Sequence, residues 1–126
     1  MLNDGKVSTT IAVSDLDRAK EFYGNTLELP LIEESPGGVT YGSGGGTTVL
    51  VYPSQTAGTN KATYASWSVN DIEAVMTSLK DKGVVFEQYD GMPGVTRQGD
   101  IHLMGDHKAA WFTDPDGNIL AIDSNA

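Results

Sequence analysis

His102 and His107 are the only imidazoles of the chain, and both fall in one stretch, Gly91 to Ala110, beside Asp100 and Asp106. Imidazole and carboxylate at such short spacing could act as a general base or as replacement metal ligands. The same acidic neighbours favour solvated loop histidines. No cysteine occurs in the 126 residues, which excludes thiolate zinc sites, cysteine nucleophiles and disulfides together. Gly42-Ser43-Gly44-Gly45-Gly46 is followed by neither a helix start nor a Lys-Ser/Thr pair, so it reads as a hairpin tip rather than a phosphate-cradling loop.

The charge narrows the partners. Eight Lys+Arg stand against 17 Asp+Glu, a formal net charge of −9 and a pI near 4.4. The basic residues are scattered singly between carboxylates, which excludes nucleic acid and anionic membrane surfaces. An acidic surface suits either long-range steering of a cationic ligand or solubility alone. No apolar run approaches the roughly 20 residues of a membrane span, and Met1 to Lys6 lacks the apolar centre of a signal peptide. The expectation is a cytoplasmic protein folded as a single domain over residues 1–126, with 39% hydrophobic residues to fill its core.

The elements that must position these groups repeat. Thr9 to Val13 is β-rich and runs into Ser14 to Tyr23, where the apolar positions 16, 19, 22 and 23 share one helical face and Ser14 or Asp15 is the cap. Tyr64 to Val69 and Asn70 to Leu79 follow the same grammar, and Gly83 closes that helix. Val13-Ser14-Asp15-Leu16 falls on Val69-Asn70-Asp71-Ile72 at an offset of 56 residues. Strand-like segments follow each helix: 29–34, 39–42 and 47–52 in the first half, 84–89, 109–113 and 118–123 in the second. Each half therefore reads β-α-β-β-β, module one about 1–57 and module two about 58–126. The last hairpins align Tyr41 on Trp111 and Leu50 on Leu120, an offset of 70, which leaves the extra residues of module two in a patternless Gly91 to Ala110 loop.

Paired modules of this kind, with Val13-Ser14-Asp15-Leu16-Asp17-Arg18-Ala19, Phe22-Tyr23, the echo Val69-Asn70-Asp71-Ile72 and Trp111-Phe112-Thr113-Asp114-Pro115-Asp116-Gly117-Asn118-Ile119-Leu120, resemble the vicinal oxygen chelate superfamily of glyoxalases, bleomycin-resistance proteins and extradiol dioxygenases. The resemblance covers nearly the whole chain. It implies an α+β fold in which two βαβββ modules form a cupped, open mixed β-barrel with the helices outside and the ligand in the cup. Metal-using members carry a His on each first strand, five residues before the Val of the signature, and a carboxylate on each last strand. The matching positions hold Ser8 and Tyr64, and Val51 and Ala121. None is a standard ligand, so the expectation is no metal and no cofactor.

Alternation along the strands gives the expected lining. With Ser8 facing the cup, Thr10 and Ala12 face it too, and Thr9, Ile11 and Val13 face the helices. Val49 and Val51 join from one hairpin, Ile119 and Ala121 from the other, and Tyr64, Ser66 and Ser68 from the second module. Of Trp111 and Phe112, one packs in the core and the other is free to stack on a flat ligand; Trp111 is counted among the lining residues. No carboxylate falls at a lining position. Arg97, His102 and His107 are assigned to a partial lid. The expected protein is a glyoxalase/bleomycin-resistance-like homodimer that binds a small organic molecule without the usual metal. The alternative is a metal-dependent lyase or dioxygenase with non-standard ligands from the 91–110 loop.

Overall fold

The computed structural model describes residues 1–125, with Asn125 described by its backbone alone. The chain divides into two compact units, Met1–Tyr64 with Pro115–Asn118, and Ala65–Asp114 with the chain from Ile119 on.

In the first unit β1 (Thr9–Val13) leads into α1 (Leu16–Lys20), which widens into a π-helical turn over Glu21–Thr26; β2 (Leu31–Ser35), β3 (Gly38–Gly42) and β4 (Thr48–Pro53) follow. The sheet order is β1-β4-β3-β2, with β1 parallel to β4 and the other pairs antiparallel. This is the β-α-β-β-β reading of the sequence. Of the two candidate caps, Asp15 takes the role: its carboxylate accepts from the Arg18 N–H at 3.1 Å. Ile11, Val13, Ala19, Tyr23, Val39, Tyr41, Val49 and Val51 form the buried core, with the Tyr23 and Tyr41 rings 6.5 Å apart.

The pairing register corrects one part of the lining. Val49 lies opposite Thr9 and Val51 opposite Ile11, and directly paired residues point to the same face. Val49 and Val51 therefore join the core beside Ile11, on the face opposite Ser8 and Thr10. The neighbour of Ser8 is Thr48, their hydroxyl oxygens 2.9 Å apart. The cause is that the last hairpins align at an offset of 71 and not 70. The two buried, helix-side aromatics are Tyr41 and Phe112, 71 positions apart, and a one-residue slip turns every side chain of a strand to the other face. Leu50, rather than Val51, is thus the first-unit counterpart of Ala121.

The Asp-Pro-Asp-Gly-Asn turn belongs to the first unit from Pro115 to Asn118. Asp116 accepts from the Ser14 N–H at 3.0 Å, from the Ser14 hydroxyl, and from the Arg18 guanidinium at 3.1 Å. Asn118, fully buried, donates to the Ala12 carbonyl at 2.7 Å and accepts from the Gly58 N–H at 3.0 Å. The two signatures that the sequence presents 100 residues apart are two halves of one clasp. It fixes the end of β1 and the start of α1.

The second unit holds β5 (Thr63–Ser68) from Ala65 on, α2 (Ile72–Asp81), β6 (Phe86–Glu87), β7 (Thr96–Gln98), β8 (Ile101–Met104), β9 (His107–Thr113) and β10 (Ile119–Asn125). Its sheet runs β5-β10-β9-β8-β7, with β6 also paired to β9. Asp71 caps α2 by accepting from the Ala74 N–H at 3.1 Å, and Gly83 at φ +92° follows its end. Ile72, Met76 and Leu79 of α2 are buried with Phe86, Ala110, Phe112, Leu120 and Ile122. Phe112 is the core partner of the aromatic pair, its ring 5.7 Å from Phe86.

Gly91 to Ala110 is not a loop. Thr96–Gln98 and Ile101–Met104 form a hairpin, and a second hairpin joins Ile101–Met104 to β9; Gly99 and Gly105, both at φ +61°, make the two turns. Strands of three and four residues are too short to show period-two alternation, so only the glycines mark them. Arg97, His102 and His107 accordingly sit on strands of the sheet and not on a lid.

Candidate functional site

Each sheet of the molecule has a face turned from its helix, and in the second unit that far face carries most of the polar chemistry. Asp123 lies opposite Ala109, Ala121 opposite Trp111 and Ile119 opposite Thr113. His102 pairs with Ala109, Arg97 with His102, and Glu87 with Trp111. Ser66 and Ser68 reach the same face from β5, for the Ser66 hydroxyl donates to Asp123 Oδ2 at 2.9 Å and the Ser68 hydroxyl to Oδ1 at 2.7 Å. The structure thus brings together Ser66, Trp111, Ile119, Ala121, Arg97, His102 and His107. Tyr64 lies two residues before Ser66 on β5, while Ser8 and Thr10 lie exposed in the first unit, away from Val49 and Val51.

Two walls rise from this face. One is the Asp123 carboxylate with its two serines. The other is aromatic: the Tyr89 ring is 5.6 Å from Trp111 and the His102 ring 4.8 Å from it, both edge-on. Between them on the strands lie two buried alanines, Ala109 opposite Asp123 and Ala121 opposite Trp111. Burial pushes the Tyr89 phenol above its ordinary range, and the nearby Glu87 charge pushes the same way. At the rim the Arg97 guanidinium clasps both oxygens of Asp90, at 2.8 and 3.2 Å, and holds that carboxyl below the usual range. A pocket of about 380 Å³ opens at the Asp123 end, lined by Ser68, Val69, Asn70, His107, Asp123 and Ser124.

Asp123 is a residue that the sequence reading missed, and with Glu87 on the same face it corrects the expectation that no carboxylate faces this side. The signal was present. Asp123 continues the 119, 121 alternation by one more step.

His102 is fully buried, which excludes the solvated-loop alternative for it. Its Nε2 accepts the Tyr89 N–H at 2.9 Å and is already engaged. Nδ1 is buried without a hydrogen-bond partner among the described residues. Asp100 is held by Lys80 at 2.8 Å and Gln88 at 3.0 Å. The set His102, His107 and Asp100 therefore does not form a metal site, and among the described residues no three or more His, Cys, Asp or Glu side chains come together. At the positions that resemble the family's metal ligands stand a serine, a leucine, a phenol and a methyl group, Ser8, Leu50, Tyr64 and Ala121. A divalent ion needs three or four nitrogen or oxygen donors, and this set does not fit it.

The Asp100 contacts carry a pH consequence. Its hydrogen bonds from Lys80 and Gln88 hold the carboxyl below the ordinary value, so its contribution to stability is complete above about pH 4 and is lost as pH falls through the lowered folded value. An acid titration of the melting temperature is expected to show a shallower acid-side fall in Asp100→Asn than in the parent protein.

The comparisons with known proteins agree with this architecture. Residues 7–122 match the family model described as Glyoxalase/Bleomycin resistance protein/Dioxygenase superfamily. No curated protein matches the sequence. Similar solved structures include an antibiotic binding protein from Streptomyces sp. CB03234, at 21% identity and TM-score 0.68, covering 96% of this chain and 97% of that one. A glyoxalase/bleomycin resistance protein/dioxygenase from Alicyclobacillus acidocaldarius shares 18% identity at TM-score 0.71, covering 97% and 92%. The fosfomycin resistance protein of Listeria monocytogenes shares 13% at TM-score 0.71, covering 97% and 93%. At these identities the likeness is one of fold, and among the described residues no helix is long and apolar enough to cross a membrane. With the family match spanning nearly the whole sequence, the chain belongs to the glyoxalase/bleomycin resistance protein/dioxygenase superfamily.

Proposed function

We propose that this protein binds a small organic molecule on the far face of its second-unit sheet, without a metal. The observation that carries the reading is a pocket of about 380 Å³, within the usual size range of small-molecule sites, with the hydrogen-bonded Asp123 carboxylate in its lining on a sheet face that also carries Trp111. Support for a metal-independent site comes from the donor set, in which methyl, alkyl and hydroxyl groups occupy the family's ligand positions. The antibiotic-binding and fosfomycin-resistance relatives lend the ligand class its support.

A thermal-shift screen of chelator-treated protein against a library of small acids, amines, alcohols and aromatics tests the reading. A ligand at about a hundred times its dissociation constant adds about 2.7 kcal/mol to the folded state, a shift the screen resolves readily. Hits are expected without added metal, with Trp111→Ala weakening an aromatic hit by about tenfold. Shifts that appear only after nickel, zinc, manganese or iron is supplied would overturn it.

A further inference from the structure

Asp123 differs from three other carboxylates of its unit. Asp90, Asp100 and Glu73 each hold a cation, Arg97, Lys80 and Lys108 respectively. Asp123 meets only the Ser66 and Ser68 hydroxyls, and among the described residues no cationic side chain pairs with it. Each hydroxyl occupies one acceptor site on one carboxylate oxygen, and a second site on each oxygen is left over. With their O–H groups donating to Asp123, the serine oxygens keep lone pairs that can accept a further hydrogen bond. The cluster is an array of acceptors around one uncompensated negative charge. Asp123 and Ser68 line the pocket of about 380 Å³, and Ser66 is bonded to the same carboxylate.

From this we infer that the pocket takes the ammonium group of a small organic amine, held by Asp123 with Ser68 as a secondary acceptor. The inference rests on the function proposed above and narrows its ligand class. A primary ammonium carries three donors and one positive charge, so it meets the leftover acceptor sites and the charge at once. An anion meets repulsion, and a neutral alcohol brings a single donor. The net charge of −9 draws cations toward the molecule at low salt. Ala109 lies opposite Asp123 and Ala121 opposite Trp111, so the residues between the carboxylate and the indole on this face are methyl groups.

Nitrogen–proton correlation spectra of chelator-treated protein, titrated with benzylamine and with its near-isosteres benzyl alcohol and benzoate, test the assignment. Benzylamine is expected to move the Ser66, Ser68 and Asp123 resonances saturably, with benzyl alcohol at least about tenfold weaker and benzoate without effect. Asp123→Asn keeps the shape of the side chain, and the serine hydroxyls can rotate to suit an amide. The variant is expected to fold and to bind amine no better than alcohol. If its spectrum is that of an unfolded chain, added sodium chloride decides the point: it must weaken the amine and leave the alcohol unchanged. Equal binding of amine, alcohol and benzoate, or amine affinity unaltered in Asp123→Asn, overturns the assignment. In that event shifts from alcohol or benzoate at the same resonances would leave the broader small-molecule reading standing. No shift from any of the three overturns the amine assignment alone, since the wider reading is judged by the library screen.

Discussion

Gly58→Ala is expected to destabilise the protein by at least about 3 kcal/mol, lowering the melting temperature by roughly 10 °C or more. Gly58 sits at φ +72°, and a Cβ built there would lie 2.0 Å from the backbone oxygen of Asp116. Two costs add. The left-handed backbone costs an L-residue about 1–2 kcal/mol, and the contact is with a carbonyl that cannot swing aside as a side-chain end could. Relief requires the Pro115–Asn118 turn to move away from Gly58, which breaks the Gly58 N–H bond to Asn118. Thermal or urea unfolding of the variant beside the parent protein measures the cost; a change below about 1 kcal/mol would mean that the clasp is slack.

Asn118→Ala is expected to cost about 2–4 kcal/mol through a different mechanism. The side chain is fully buried and joins two separate backbone groups, the Ala12 carbonyl and the Gly58 N–H. Alanine leaves both without that partner, and each unsatisfied group costs its own desolvation penalty of about 1–3 kcal/mol. Asn118→Asp keeps an acceptor for Gly58 and loses the donor to Ala12, so the Ala12 half of the clasp can be read from it. Because Gly58 and Asn118 share one bond, the double variant Gly58→Ala/Asn118→Ala is expected to lose clearly less than the two single costs together. Strict additivity, measured by chemical denaturation, would place the two residues in independent networks.

The clasp also explains which parts of the molecule could be read from sequence. Val13-Ser14-Asp15-Leu16 and Asp114-Pro115-Asp116-Gly117-Asn118 are conspicuous because their residues have strict local jobs, capping and turning. That the two meet is a matter of tertiary structure, and no local pattern states it. The β-α-β-β-β order was legible for the same reason, since caps, helix faces and hairpin turns are short-range features. Register was not. Aligning Tyr41 with Trp111 in place of Phe112 looked equally good as aromatic on aromatic, yet that single step put Val49 and Val51 on the wrong face.

The site was legible in part. Alternation from Ile119 reached Ala121 and, carried one step further, would have reached Asp123. His102 was beyond such reasoning. Its acidic sequence neighbours suggest solvent, but Asp100 turns away to Lys80 and Gln88, and the imidazole is sealed by Tyr89 and Trp111 with a backbone N–H as its partner. Long-range pairing of β8 with β9, rather than local sequence, buries it.

The central claim, a metal-independent ligand face on the second-unit sheet, is tested most directly by mapping where a screening hit binds in the chelator-treated protein. Amide resonances of Ser66, Ser68, Ala109, Trp111, Ala121 and Asp123 are predicted to shift together and to saturate with no metal present. Shifts confined to other parts of the chain, or shifts at these residues only once a transition metal is added, would contradict the account.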